Sequence, residues 1–116
     1  MKKVLITEFI NENSVLKLKK KFNLNYDKNL WKNKKKLANI INEYDAIIVR
    51  NKTQLNKKIL NKNKKLKFIG RLGVGLDNID TKHCKKQKIY VQPATGMNSD
   101  SVAEYVISSS LHLIKN

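Results

Sequence analysis

Cysteine, proline, arginine and acidic residues are all scarce in this chain of 116 residues, and each shortage excludes something. Cys84 is the single cysteine, so neither an intramolecular disulfide nor a cysteine-built zinc cluster can form, which fits a reducing compartment. One proline and four glycines leave no Pro/Gly/Ser-rich linker, and no internal repeat or acidic tail divides the chain. No run approaches the roughly 18 apolar residues of a membrane span. The opening MKKVLITEF lacks the continuous apolar core and small-residue cleavage site of a secretion signal. The expectation is a cytoplasmic protein with no membrane partner. With nine acidic residues against 25 basic ones the net charge is +16, which invites a nucleic-acid reading. Against it, Arg50 and Arg71 are the only arginines, and no aromatics are interleaved with the lysines as on a base-reading surface. The abundance of Lys, Asn and Ile follows AT-rich codons. The lysines of KLKKKF, WKNKKKL and LNKKILNKNKK fall where amphipathic helices face water, so no specific nucleic-acid partner is expected.

What is present is a regular alternation. VLIT (4–7), AIIV (46–49), LKFIG (66–70) and IYVQ (89–92) are short apolar runs of the kind that parallel strands covered on both faces require, and FNLNYD can carry another strand. Between them, Val15, Leu18 and Phe22 lie at helical spacing behind a cap at Asn13 or Ser14. Leu37, Ile40, Ile41 and Tyr44 form a second stripe, and Leu55, Ile59 and Leu60 mark a short third helix. Asp77 or Asp80 can cap a helix over IDTKHCKKQ, Pro93 closes the fifth strand, and a last helix starts near Ser99 with Val102, Tyr105, Val106 and Leu113 on one face. The expected fold is α/β: a flavodoxin-like parallel five-stranded sheet in the order 2-1-3-4-5, with helices on both faces. Ligands of such sheets sit beyond the carboxyl ends of the strands.

One of those ends carries GRLGVGLDNID (70–80), with three glycines in six positions. Gly70, Gly73 and Gly75 make G-x-x-G-x-G, the reverse of the dinucleotide fingerprint G-x-G-x-x-G. Reading on from Gly73 puts Asn78 where the third glycine belongs, and too little sheet follows to complete a dinucleotide site. The loop offers instead a turn of exposed amides able to bind a small carboxylate or phosphate, or else a plain βα turn that uses glycine for its geometry.

Three blocks, DAIIVRNKTQL (45–55), LKFIGRLGVGLDNID (66–80) and ATGMNSDSVAEYVI (94–107), resemble, in order and spacing, the NAD-dependent D-2-hydroxyacid dehydrogenases, including phosphoglycerate dehydrogenase-like and formate dehydrogenase-like members. The resemblance spans nearly the whole chain. It implies a substrate-binding (catalytic) domain over 1–98 and, over 99–116, the start of the helix crossing to an NAD-binding domain that the chain does not contain. By the same resemblance, the amides of Val74 and Gly75 match the position that holds the substrate carboxylate. Arg50 and Asn51 match the substrate-facing segment after the third strand, where many relatives have Arg-Ser. Asn98 matches an asparagine that approaches substrate, and as an alternative is a helix cap. Glu104 is expected to be structural at the lobe junction.

The resemblance also implies a catalytic arginine, its acidic partner, an acid–base histidine and a G-x-G-x-x-G loop, and none of these has a counterpart here. His83, in a short surface helix, and His112, in the crossing helix, are not substitutes. No catalytic, cofactor-binding or metal-ligating residue is therefore expected. The complete enzyme would use NAD or NADP on a small 2-hydroxy or 2-oxo acid, its full-length relatives being homodimers, whereas this chain alone should be inactive. Its short length reads as a truncated or frameshifted product, a fragment of a longer frame, or a self-standing module. The alternative function is a non-enzymatic small-anion-binding or interaction module on the same fold. A phospho-receiver is disfavoured, since Thr7-Glu8 and Arg50-Asn51 at the strand ends include no paired aspartates.

Overall fold

The computed structural model describes residues 2–60, 65–73 and 75–94. Strands β1 (Lys3–Ile6), β2 (Asn23–Tyr26), β3 (Ala46–Val49), β4 (Phe68–Leu72) and β5 (Tyr90–Ala94) alternate with helices α1 (Glu12–Lys21), α2 (Lys34–Ile40), α3 (Lys57–Leu60) and α4 (Thr81–Lys86). All strand pairs are parallel, and the order is β2-β1-β3-β4-β5, as the alternation of apolar runs predicts. The crossing helix expected from Ser99, with Glu104 and His112, lies outside the described residues.

The three inner strands are apolar on both faces because both faces are covered. Leu5, Ile47 and Ile69 point to one side, where Leu37, Ile41, Leu60 and Cys84 complete a core. Val4, Ile6, Ile48 and Phe68 point to the other, against Val15, Leu18 and Phe22 from α1. The lysine runs occupy the outer faces: Lys19–Lys21 and Lys34–Lys36 are exposed, and those closing α1 also complement its dipole, opposite Glu12 in the first turn.

Three local expectations are corrected. The cap of α1 is Asn11, whose Oδ1 accepts from the Asn13 amide at 2.8 Å, not Asn13 or Ser14; starting the helix at Glu12 turns Ser14 inward to burial. The stripe through Tyr44 is broken, since α2 stops at Ile40 and a 3-10 turn over Ile41–Glu43 carries the chain into β3. Pro93 lies within β5, where the edge position of that strand tolerates its missing N–H. The helix α4 lies at the surface as expected, with Thr81, Lys82, Lys85 and Lys86 exposed, and His83, 6% exposed, is on its inward face.

Cys84, beside it, is buried as well, and loss of solvation followed by the charge of Asp80 pushes its thiol up from 9.0 to about 11. It should resist a water-soluble disulfide reagent at pH 8 until the chain is unfolded, since the thiolate is the attacking form. The folded thiol stays protonated where the unfolded one ionises. The unfolded state therefore binds fewer protons above about pH 9, and stability should fall as pH rises from there toward 11. Denaturant titrations at stepped pH, compared with Cys84→Ala, check this.

Candidate functional site

Parallel strands deliver their following loops to one rim, and here the loops after β1, β3 and β4 are bound to one another by buried polar groups. Glu8, just beyond β1, is 2% exposed. Its carboxylate turns toward the loop after β3: Oε2 accepts from the amides of Arg50 at 2.7 Å and Thr53 at 2.9 Å and from the Thr53 hydroxyl at 2.7 Å. Oε1 accepts from the Lys52 amide at 2.9 Å. The Thr53 hydroxyl also lies 2.7 Å from that of Thr7. One carboxylate thus accepts four hydrogen bonds from Arg50, Lys52 and Thr53, in a loop that has no ladder to pair with, which is how a buried charge is tolerated.

Asn78 does the matching work from the loop after β4. Its Nδ2 donates to the carbonyls of Arg50 at 2.6 Å and Thr53 at 2.8 Å, and its Oδ1 accepts from Arg71 Nε at 3.3 Å. Two backbone bonds, Leu55 N–H to Asn78 O and Asp80 N–H to Leu55 O, both 2.9 Å, continue the stitching. Arg71 is buried at 3% exposure and donates from Nη1 to the Leu72 carbonyl at 2.7 Å.

Gly73 and Gly75 both have positive φ, +100° and +89°, so the turn after β4 needs glycine at these two positions. A Cβ on Gly73 would come within 2.9 Å of Arg71 Nη1, and that guanidinium is tied on both sides and has nowhere to retreat. Gly73→Ala should therefore lower stability by about 2 kcal/mol in urea unfolding, where a tolerant loop would move by under about 0.5 kcal/mol.

Of the residues expected from sequence to contact ligand, Arg50 and Asn51 are exposed on one wall of a cleft of about 370 Å³. Glu8 and Phe9 also line it, and Arg50 Nη1 reaches the Phe9 carbonyl at 3.3 Å. Gly75 is exposed on the loop after β4, the strand hydrogen-bonded to β3. Val74 and Asn98 lie outside the described residues. Sequence reading missed Glu8, Thr53, Arg71 and Asn78, which shape these loops without being exposed themselves. Asn78 could be found only as an amide next to two aspartates in LDNID, and Glu8 only as a lone acid closing an apolar strand.

A dinucleotide does not fit the described residues. The helix following the glycine loop, α4, has its N-terminus closed by Asp80, whose carboxylate accepts from the His83 amide at 3.0 Å, and Asp77 stands beside Gly75. With Asp80 already accepting from an amide of this six-residue helix, its N-terminus does not present the open turn that a pyrophosphate takes. Among the described residues there is also no group of three or more metal-ligating side chains.

A five-stranded parallel sheet in the order 2-1-3-4-5, with the Arg50 and Gly75 loops at the carboxyl ends of adjacent strands, defines the class as a flavodoxin-like lobe. The chain belongs to the D-isomer specific 2-hydroxyacid dehydrogenase family, whose catalytic-domain model matches residues 4–112. It is 42% identical over 108 residues to the (S)-sulfolactate dehydrogenase of Chromohalobacter salexigens, covering 93% of this chain and 35% of that one. To the D-3-phosphoglycerate dehydrogenase of Archaeoglobus fulgidus it is 35% identical over 109 residues, 94% of this chain and 20% of that one. A crystal structure of NAD+-bound 3-phosphoglycerate dehydrogenase from Entamoeba histolytica superposes with a TM-score of 0.73 at 28% identity, over 92% of this chain and 37% of that one. The chain therefore spans about a third or less of the curated relatives it matches.

Proposed function

We propose that this chain holds and orients the substrate of an NAD- or NADP-dependent D-2-hydroxyacid dehydrogenase of the cytoplasm. Residues 1–98 form the substrate-binding domain and 99–116 lead toward a cofactor domain. The observation that carries the proposal is the junction of the Arg50–Thr53 and Gly73–Asn78 loops through Asn78 at the carboxyl ends of β3 and β4. The substrate carboxylate takes the amides of Val74 and Gly75, and Arg50, Asn51 and Asn98 face the rest of the molecule. Such an arrangement contributes by positioning, fixing the C2 carbon relative to a nicotinamide held outside this chain. The relatives are named for sulfolactate and 3-phosphoglycerate, and the part of those acids carried over here is the shared 2-hydroxy acid.

The test has two arms. Adding D-glycerate or D-lactate to 15N-labelled full chain should shift the Gly75 amide resonance in a saturable way. The same chain mixed with NADH and hydroxypyruvate, glyoxylate or pyruvate should show no oxidation above background. An unmoved Gly75 resonance would remove the acid-holding role, and turnover by the chain alone would overturn the division of labour.

A further inference from the structure

On the side of the sheet opposite α1 lies a groove that the acid-holding role does not touch. It runs between α2 and α3, encloses about 430 Å³ and shares no residue with the cleft beside Arg50. Lys34, Lys35, Ala38 and Asn39 line it from α2, Lys58 and Ile59 from α3, and Asn56 from the residue before α3 begins. Lys34 and Lys35 stand four and three positions ahead of Ala38, so these three share one face of α2. Ala38 leaves the space open, because a methyl group is too short to close it. The floor is continuous with the core: Ile59 is 7% exposed within it, and Ala38 packs against it.

Among the described residues the lining holds three lysines and no acid. Lysine stems extend the apolar cover while their ammonium heads stay in water, so an occupant meets carbon below and positive charge at the rim. Asn56 adds to this, since its Oδ1 already accepts from the Ile59 amide at 3.0 Å and what it can offer an occupant is its Nδ2 donor. Exposed ion pairs bind weakly by themselves, so the floor must supply the affinity and the lysines select the charge. A second copy of the chain is a poor occupant, because each copy carries +16 and would bring lysines to lysines. An extended segment is poor too: the edges of the sheet are β2 and β5, and a groove between helices offers no ladder to its backbone. A helix satisfies its own backbone and can lay an apolar stripe along such a groove. With seven residues, α2 is about 10 Å long and flanks about two turns of it.

We propose that the groove between α2 and α3 is a docking site for an acidic amphipathic helix of a partner protein. Apolar side chains of that helix, one turn apart, rest on Ala38 and Ile59, and its flanking carboxylates meet Lys34, Lys35 and Lys58. The site is independent of the acid-holding loops and tethers the domain to its partner whether or not a 2-hydroxy acid is bound.

The probe is a blocked helical peptide of about 16 residues, with leucine at i, i+3, i+4 and i+7 and glutamate elsewhere. A shuffled peptide of the same composition, with no leucine stripe, carries the same charge. Each is titrated into the 15N-labelled full chain at about 0.15 M salt, where long-range attraction to the net charge is screened. The striped peptide should shift the amides of Ala38, Asn39 and Ile59 in a saturable way and bind at least about tenfold tighter than the shuffled one. K34Q/K35Q/K58Q should weaken it about tenfold, whereas K19Q/K20Q/K21Q, which removes the same charge from the exposed end of α1, should change it by under about twofold. Ala38→Leu fills the groove and leaves every charge in place, and should also weaken binding about tenfold. The lysine variants alter only exposed side chains, so they decide the matter if Ala38→Leu does not fold. Equal affinities for the two peptides, an equal loss in both triple variants, or full affinity in a folded Ala38→Leu chain would overturn the docking site. Self-association of the parent in sedimentation, abolished by Ala38→Leu, would give the groove to a second copy and overturn it as well.

Discussion

Glu8→Ala should cost this chain about 3 kcal/mol of stability, a large part of what a domain of its size possesses, although Glu8 lies in no helix or strand. The substitution leaves the amides of Arg50, Lys52 and Thr53 and the Thr53 hydroxyl without their acceptor, in a place where Thr53 is fully buried and water cannot reach all of them. Stranding one partner of a buried charge-assisted group costs more than the group contributes net when intact. Glu8→Gln separates the two parts of the effect. Its carbonyl oxygen can take the place of Oε2 and keep the Arg50 and Thr53 bonds, but its NH2 then meets the Lys52 amide, donor against donor. A loss of about half that of Glu8→Ala is expected. Urea unfolding measures both, and amide hydrogen exchange localises them: residues 50, 52 and 53 should exchange faster, with the β4–β5 ladder unchanged. A loss under about 0.5 kcal/mol for Glu8→Ala would mean that the loop is held by its other contacts and that the carboxylate is incidental.

The contrast between what this fold and this site reveal in sequence has a physical origin. Strands buried on both faces must be apolar throughout, so AIIV and LKFI can be recognised without knowing their neighbours, and the right-handed crossover then leaves few ways to order them. The edge strand β2 is the weakest of these signals, because Asn23 and Asn25 face outward from NLNY. Caps are local but degenerate: NENS offers three side chains able to close α1, and only packing, through Ser14 turning inward, decides for Asn11. The polar network has no local signature. Glu8 is bonded to residues 42 to 45 positions away and Asn78 to residues 25 and 28 positions away, separations that no motif spacing encodes. The exposed loop residues Arg50 and Gly75 could be singled out because they match a family pattern. The buried residues that hold them become visible only when the strands are laid side by side.

That is why Asn78→Asp is the most informative single change to the site. It keeps shape and volume and exchanges Nδ2 for an oxygen, which then faces the Arg50 and Thr53 carbonyls at the 2.6 Å and 2.8 Å now occupied by hydrogen bonds. The added negative charge gains attraction from the Arg71 guanidinium, whose Nε is 3.3 Å from Oδ1, but that nitrogen is already donating to the existing oxygen. Two donations lost, with acceptor set against acceptor in a 6%-exposed position, outweigh one contact strengthened, and a net loss of about 2 to 3 kcal/mol is expected. Acid should reverse part of it. A protonated carboxyl can donate to one of the two carbonyls, so the stability gap to the parent should be widest at neutral pH and narrow as pH falls toward about 4, the unfolded carboxyl's own range. Asn78→Ala, which has nothing to protonate, should show a gap that does not change with pH. The consequence for the site is separable from stability, because Asn78 is the side chain that connects the loop carrying Arg50 to the loop carrying Gly75. Under conditions where the variant remains folded, D-glycerate should bind it about tenfold more weakly than the parent, with the Gly75 amide resonance as the readout. Unchanged affinity in a destabilised Asn78→Asp chain would show that the two loops find their spacing without this amide, and that the ligand, rather than Asn78, draws them together.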